Sequence, residues 1–247
     1  MCFFNLFRKK KPKPIPQTGT GDDMLIVNNL NGFGAGGQTT LAYVNSASSN
    51  NSADIVVPSD ALEGDIAVLY DAVNNSSAPP PSLVTPSGWT NVVNSTFDNS
   101  RYSVHYKELG SGDPGATITG MSSNNGKIKL MLVFRPGGFS VSTITASTFS
   151  TEFTNSNPSS QTVSASGQSA PLIVLGGTGV YGVSAPAFST ASPAFDGEQT
   201  KARVGSAEYS LRMGYTLYGT AAPASHSIDK GDDGNANILW SGYLKLA

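Results

Sequence analysis

Apolar and polar residues alternate with period two along four clear stretches, and helical periodicity is nearly absent from the chain. In 101–107, Tyr102, Val104 and Tyr106 share one face while Arg101, Ser103, His105 and Lys107 share the other. In 127–135 the apolar set is Ile128, Leu130, Leu132 and Phe134, and in 208–217 it is Tyr209, Leu211, Met213, Tyr215 and Leu217. In 238–246 it is Ile238, Trp240, Leu244 and Leu246. This spacing predicts antiparallel strands, each half-buried with one face on a core.

Turn chemistry punctuates these runs: Pro79-Pro80-Pro81, Pro86-Ser87-Gly88, Gly112-Asp113-Pro114-Gly115, Pro136-Gly137-Gly138 and Asp232-Asp233-Gly234-Asn235. Each cluster fixes φ at proline, permits positive φ at glycine, or bonds its own backbone through an Asx side chain. About a dozen strands joined this way predict an all-β fold, an antiparallel two-sheet β-sandwich of jelly-roll type. The order of elements also echoes: Asp65-Ile66-Ala67-Val68-Leu69 parallels Pro171-Leu172-Ile173-Val174-Leu175, and Tyr102-Ser103-Val104 parallels Tyr209-Ser210-Leu211. The segment from Pro114 to Ile118 parallels that from Pro223 to Ile228, and the strand at 128–134 parallels 238–246. Two readings compete: a pseudo-duplicated sandwich in which each half feeds both sheets, or the generic likeness of amphipathic strands, and the second is preferred here.

The first sixteen residues, MCFFNLFRKKKPKPIP, break the pattern. Phe3, Phe4, Leu6 and Phe7 are followed by Arg8, Lys9, Lys10, Lys11 and Lys13, which are five of the fifteen basic residues of the chain. Pro12, Pro14 and Pro16 then forbid helix continuation and favour an extended connector. The chain therefore divides into an arm, residues 1–23, and a β-sandwich domain, residues 24–247. The arm reads as an anchor, with the aromatic and aliphatic side chains filling an acidic groove on a partner protein; phosphate or a membrane surface is the competing partner, and a solvated tail the bland reading.

Charged residues are only 13% of the 247, and Ser, Thr, Asn and Gly fill the polar positions, a composition suited to extracellular, viral or adhesin-like β proteins. The net charge is −2, and the body without its basic arm is more negative still, so nucleic acid is not an expected partner. The single cysteine, Cys2, excludes internal disulfides, and two histidines cannot complete a Cys/His zinc site. The apolar run at the N-terminus is too short and wrongly flanked for a signal peptide, and no segment is long enough to span a membrane as a helix.

Candidate chemistry is sparse. Two G-x-G-x-x-G segments, Gly32–Gly37 and Gly177–Gly182, lack the following helix that a dinucleotide site needs, so both read as flexible β-loops. Asp229, Asp232, Asp233, Asn235 and Asn237 offer oxygens for calcium but fail the EF-hand spacing, which leaves an Asx-rich turn as the better reading. Asp60, Glu63 and Asp65 read as turn and capping groups rather than a catalytic pair, and no G-x-S-x-G elbow accompanies the serines. His105 and His226 are expected at the surface or rim. Trp89 has two readings, a ring offered to a sugar or partner and a plug at the end of the core. No catalytic residue, metal ligand or cofactor is therefore expected, and the chain is not expected to be an enzyme.

Several segments resemble minor virion proteins of tailed bacteriophages: the run Val57 to Val68 (VPSDALEGDIAV), Thr85-Pro86-Ser87-Gly88-Trp89-Thr90, Tyr106-Lys107-Glu108-Leu109 with Gly112-Asp113-Pro114, and Leu239-Trp240-Ser241-Gly242-Tyr243-Leu244. The likeness covers roughly residues 55 to 246. It implies a jelly-roll component of a tail fibre, spike or capsid decoration, located in the virion and held by the arm to tail or capsid proteins. A homo-oligomer and, through Trp89, a host surface glycan are the further partners this reading implies.

Overall fold

Seven strands form the first half of the body: β1 (Thr40–Asn50), β2 (Ile55–Val56), β3 (Ile66–Asn74), β4 (Thr90–Phe97), β5 (Ser100–Glu108), β6 (Thr117–Ile118) and β7 (Lys127–Gly137). The second half adds β8 (Ile144–Ala146), β9 (Ser150–Thr154), β10 (Gln161–Val163), β11 (Leu172–Tyr181), β12 (Phe188–Ser192), β13 (Gly197–Lys201), β14 (Tyr209–Tyr218), β15 (His226–Lys230) and β16 (Asn235–Leu246). The computed structural model describes residues 38–50, 54–74, 83–97, 100–119, 127–154, 160–181, 186–202, 209–230 and 235–247. The arm residues Phe3 to Lys13, the boundary at residue 23, Cys2 and the Gly32–Gly37 segment lie outside them.

The fold is all-β, and among the described residues every strand pairing is antiparallel. A first large sheet has the order β1-β7-β3-β5-β4, and a second has β13-β14-β11-β16-β8, with β9 also pairing β16. Two small sheets, β2-β6 and β10-β15-β12, complete the set among the described residues. The four alternating stretches of the sequence become β5, β7, β14 and β16, as the period-two pattern requires.

The two halves share one topology. β3 lies between β5 and β7 just as β11 lies between β14 and β16, and the hairpin partners β4 and β13 flank β5 and β14. Register agrees: Ile66 sits opposite Glu108 and Phe134, and Ile173 opposite Leu217 and Leu244. The pairing of β2 with β6 recurs as that of β10 with β15. The sequence echo thus marks a repeated unit rather than generic strand likeness. Its form differs from the expected one, because each half builds its own large sheet instead of feeding both.

Three apolar clusters separate four layers. Between the large sheets pack Ile66, Val68, Tyr70, Tyr102, Leu130, Leu132 and Phe134 from one side, and Ile173, Leu175, Tyr209, Leu211, Met213, Ile238 and Trp240 from the other. Tyr70 meets Trp240 edge-on, ring centroids 5.3 Å apart, and Phe134 meets Tyr215 at 5.1 Å. The outer face of the first sheet packs Ala67, Leu69, Met131 and Val133 against Ile55 and Val57 of the small-sheet segment. The outer face of the second packs Leu172, Val174 and Leu239 against Val163 and Ile228. The half-buried expectation therefore fails for β7 and for most of β5, β14 and the described part of β16, which are buried on both faces along most of their length. A period-two pattern reports which residues share a face, not whether a second layer covers it.

Gly177 and Gly179 are not loop residues but lie inside β11. A Cβ on Gly177 would sit 2.1 Å from the ring of Trp240, its ladder partner, and one on Gly179 would sit 2.7 Å from the Tyr70 hydroxyl. The glycines form a trough in the inner face of the second sheet, and aromatic side chains occupy it.

Candidate functional site

Trp89 is positioned by a turn. Its N–H donates to the Pro86 carbonyl at 3.1 Å, and Gly88 adopts a φ of 78°, which a side chain would resist. The turn drops the indole into the cluster with Ile55, Val57 and Leu109, leaving the residue 8% exposed. What remains of its surface edges a cleft of about 190 Å³ shared with Lys107 and Asp113. Those two form an ion pair of 2.7 Å.

A second cleft, of about 380 Å³, lies where β3 begins and β7 ends, lined by Asp65, Glu108, Arg135 and Phe139 among others. Asp65 is buried, accepts the Leu62 N–H at 2.8 Å, and receives a two-pronged contact from Arg135, Nε to Oδ1 at 2.9 Å and Nη2 to Oδ2 at 2.8 Å. Such fork geometry gives the strong form of the pair. Arg135 also donates to the Asp60 carbonyl at 3.0 Å, so the guanidinium is engaged with its own loop, and Asp65 acts as the capping group expected of it.

The chemistry that sequence reading missed lies on the outer face of the first sheet. Register places Asp71 opposite Lys129 on β7 and opposite Ser103 on β5, with Val73 opposite Lys127. Asp71, Ser103, His105, Lys127 and Lys129 are all buried. Burial pushes the Asp71 carboxyl up against the opposing pull of the lysines, and pushes Lys129 down against the pull of Asp71. Lys127 falls to about 8 through burial and then the neighbouring Lys129 charge. A signal was present: Met131 and Val133 continue the same face as apolar residues, and Asp71 interrupts the otherwise apolar run from Ile66 to Val73.

Both histidines are buried rather than at the rim: His105 lies on the outer face of the first sheet, and His226 on β15 of the small sheet packed over the second. The His105 ring contacts Ser103 Oγ at 2.8 Å through Nε2 and Asn91 Nδ2 at 3.3 Å through Nδ1, and burial lowers it to about 4. His226 contacts the Tyr218 hydroxyl at 2.9 Å, lies parallel to Phe195 with centroids 6.3 Å apart, and is likewise lowered by burial. Both imidazoles are held neutral at pH 7.

Of the candidate calcium ligands, Asp232 and Asp233 lie outside the described residues. The Asp229 carboxylate is occupied by hydroxyls, with Ser160 and then Thr190 holding its pKa below the ordinary carboxylate value. Among the described residues no group of three or more His, Cys, Asp or Glu is placed to hold a metal ion. Comparison with protein-family models, curated proteins and solved structures finds no match.

Proposed function

We propose that this protein is a non-enzymatic structural component of a bacteriophage virion. Its β-sandwich is displayed outward, and residues 1–23 attach it to tail or capsid proteins as a tail fibre or spike-type appendage. The observation that carries this reading is that the body satisfies its own apolar faces: each large sheet packs on the other and is covered outside by a small sheet of its own half. Among the described residues the large exposed hydrophobics are only Val56, Leu62 and Val84. Small scattered apolar positions of this kind are ordinary surface and do not make a docking patch. Attachment then falls to the segment that combines Phe3, Phe4, Leu6 and Phe7 with Arg8 to Lys13, where the aromatics supply contact area and the cations steer the encounter. The resemblance of residues 55 to 246 to minor virion proteins supports the same conclusion.

The test is incorporation into particles. A chain beginning at residue 24 is expected to fold, with the circular dichroism of an all-β protein, and to be missing from purified virions that take up the full chain. Equal uptake of the truncated chain overturns the anchoring role. Immunogold labelling of the body on intact particles then separates a tail appendage from a capsid decoration, and absence of label from every particle overturns the virion assignment itself.

A further inference from the structure

Asp71 of β3 and Lys129 of β7 are ladder partners on the outer face of the first sheet. Both are fully or almost fully buried, and Lys129 Nζ lies 3.8 Å from Asp71 Oδ1. That is beyond hydrogen-bond length, and Oδ1 accepts no hydrogen bond. A buried pair keeps its charges when short, well-directed contacts offset the loss of water, and this contact is neither. Burial moves the acid up and the amine down, against their mutual attraction, and so favours the neutral form of each. Beside them is a third group, Lys127. It is buried, its Nζ has no hydrogen-bond partner, and its charge couples to both Lys129 and Asp71.

We propose that Asp71 and Lys129 condense into an amide that crosslinks β3 to β7. The Nζ lone pair of Lys129 adds to Cγ of Asp71, forming the N–C bond. One proton from that nitrogen passes to Nζ of Lys127, which returns it to a hydroxyl of the tetrahedral intermediate. The C–O bond breaks and one water molecule leaves. A carboxylic acid and a primary amine thus become a secondary amide and water, with no oxidant, reductant or second substrate required. The fold favours the reaction by holding the two groups as buried ladder neighbours, so that the condensation is intramolecular and needs no encounter between separate molecules. The product also removes two ionisable groups from a site that penalises charge.

The consequence suits a chain whose only cysteine is Cys2 and which therefore has no internal disulfide. The amide joins the two central strands of the first sheet and closes the loop between them, constraining the unfolded chain as a disulfide would.

The experiment is the mass of the full-length chain measured under denaturing conditions, followed by peptide mapping. The expected result is a chain lighter by one water molecule, with the peptide containing Asp71 joined to the one containing Lys129. Lys129→Arg and Asp71→Ala are each expected to restore the full mass, allowing for the substitution. A wild-type chain at its full sequence mass overturns the proposal. So does a missing water that maps elsewhere, for example to an imide at Asp196–Gly197, which mild base reopens while leaving an amide intact. If either variant fails to fold, the wild-type map alone still decides.

Discussion

The two large sheets have the same strand order but opposite central strands. In the first, β3 carries Tyr70 into the space between the sheets; in the second, β11 has Gly177 and Gly179 at the inward positions that receive Trp240 and the tip of Tyr70. Their outer faces differ as well. The first buries Asp71, Lys127, Lys129 and His105, whereas the second packs Leu172, Val174 and Leu239 under β10 and β15, with Phe188 and Phe195 packed against that cluster. A repeated unit laid against its own copy would bring bulk against bulk along the centre. The halves fit because one fills the volume that the other leaves empty, at the density that protein interiors demand.

The largest effect is expected where that complementarity is concentrated. Trp240→Ala should cost about 3–5 kcal/mol by chemical denaturation, because the ring is fully buried over Gly177. Gly177→Ala should cost about 1–3 kcal/mol from the opposite direction, by overfilling. The sharper result is their combination: Gly177→Ala with Trp240→Leu should be less damaging than the sum of the single changes by roughly 0.5–3 kcal/mol. Strict additivity would mean that the trough and the ring are not partners.

A smaller effect tests how far the first half depends on charge. Asp65→Ala removes the acceptor for Leu62 N–H and the partner of Arg135, and is expected to cost about 1–3 kcal/mol in a denaturation midpoint series. Asp65→Asn should retain part of that through the Leu62 contact. Equal losses in the two variants would leave the Leu62 hydrogen bond without a share and assign the whole effect to the ion pair.

The smallest effect compares the two buried imidazoles. His105 falls from 6.5 to about 4 in the folded state, and His226 is also lowered. The unfolded chain therefore takes up protons first as the solution is acidified. Stability from His105 is complete above pH 6.5 and is lost as pH falls from there toward 4, about 1 kcal/mol of it by pH 5.5, and His226 adds a loss of the same sign. His105→Gln and His226→Gln should each flatten part of that slope in thermal midpoints followed across the window. An unchanged slope in both variants would assign it to carboxylates instead.

Much of this architecture was legible in the chain. Tyr102 to Tyr106, Ile128 to Phe134, Tyr209 to Leu217 and Ile238 to Leu246 announced their strands by alternation alone, and all sixteen of their named inward residues follow a local steric rule rather than a distant contact. The echo between Ile66 and Ile173 was also visible, although pairing was needed to distinguish it from coincidence. The candidate site was much less legible. His105, Lys127 and Lys129 occupy the face that the pattern marks as polar, yet they are buried, on the side of the sheet where Ile55 and Val57 pack.

The sequence by itself determined the strand class, the faces that go inward and the separation of a basic, aromatic arm from an acidic body. These depend on local periodicity, turn chemistry and charge, all of which act between near neighbours. Only the tertiary structure decided that two like halves would stack, that glycines in β11 would receive Trp240 and Tyr70, and that Asp71 and Lys129 would be buried side by side. Those outcomes depend on volume and dielectric, which belong to the packed layers and not to any one stretch of chain.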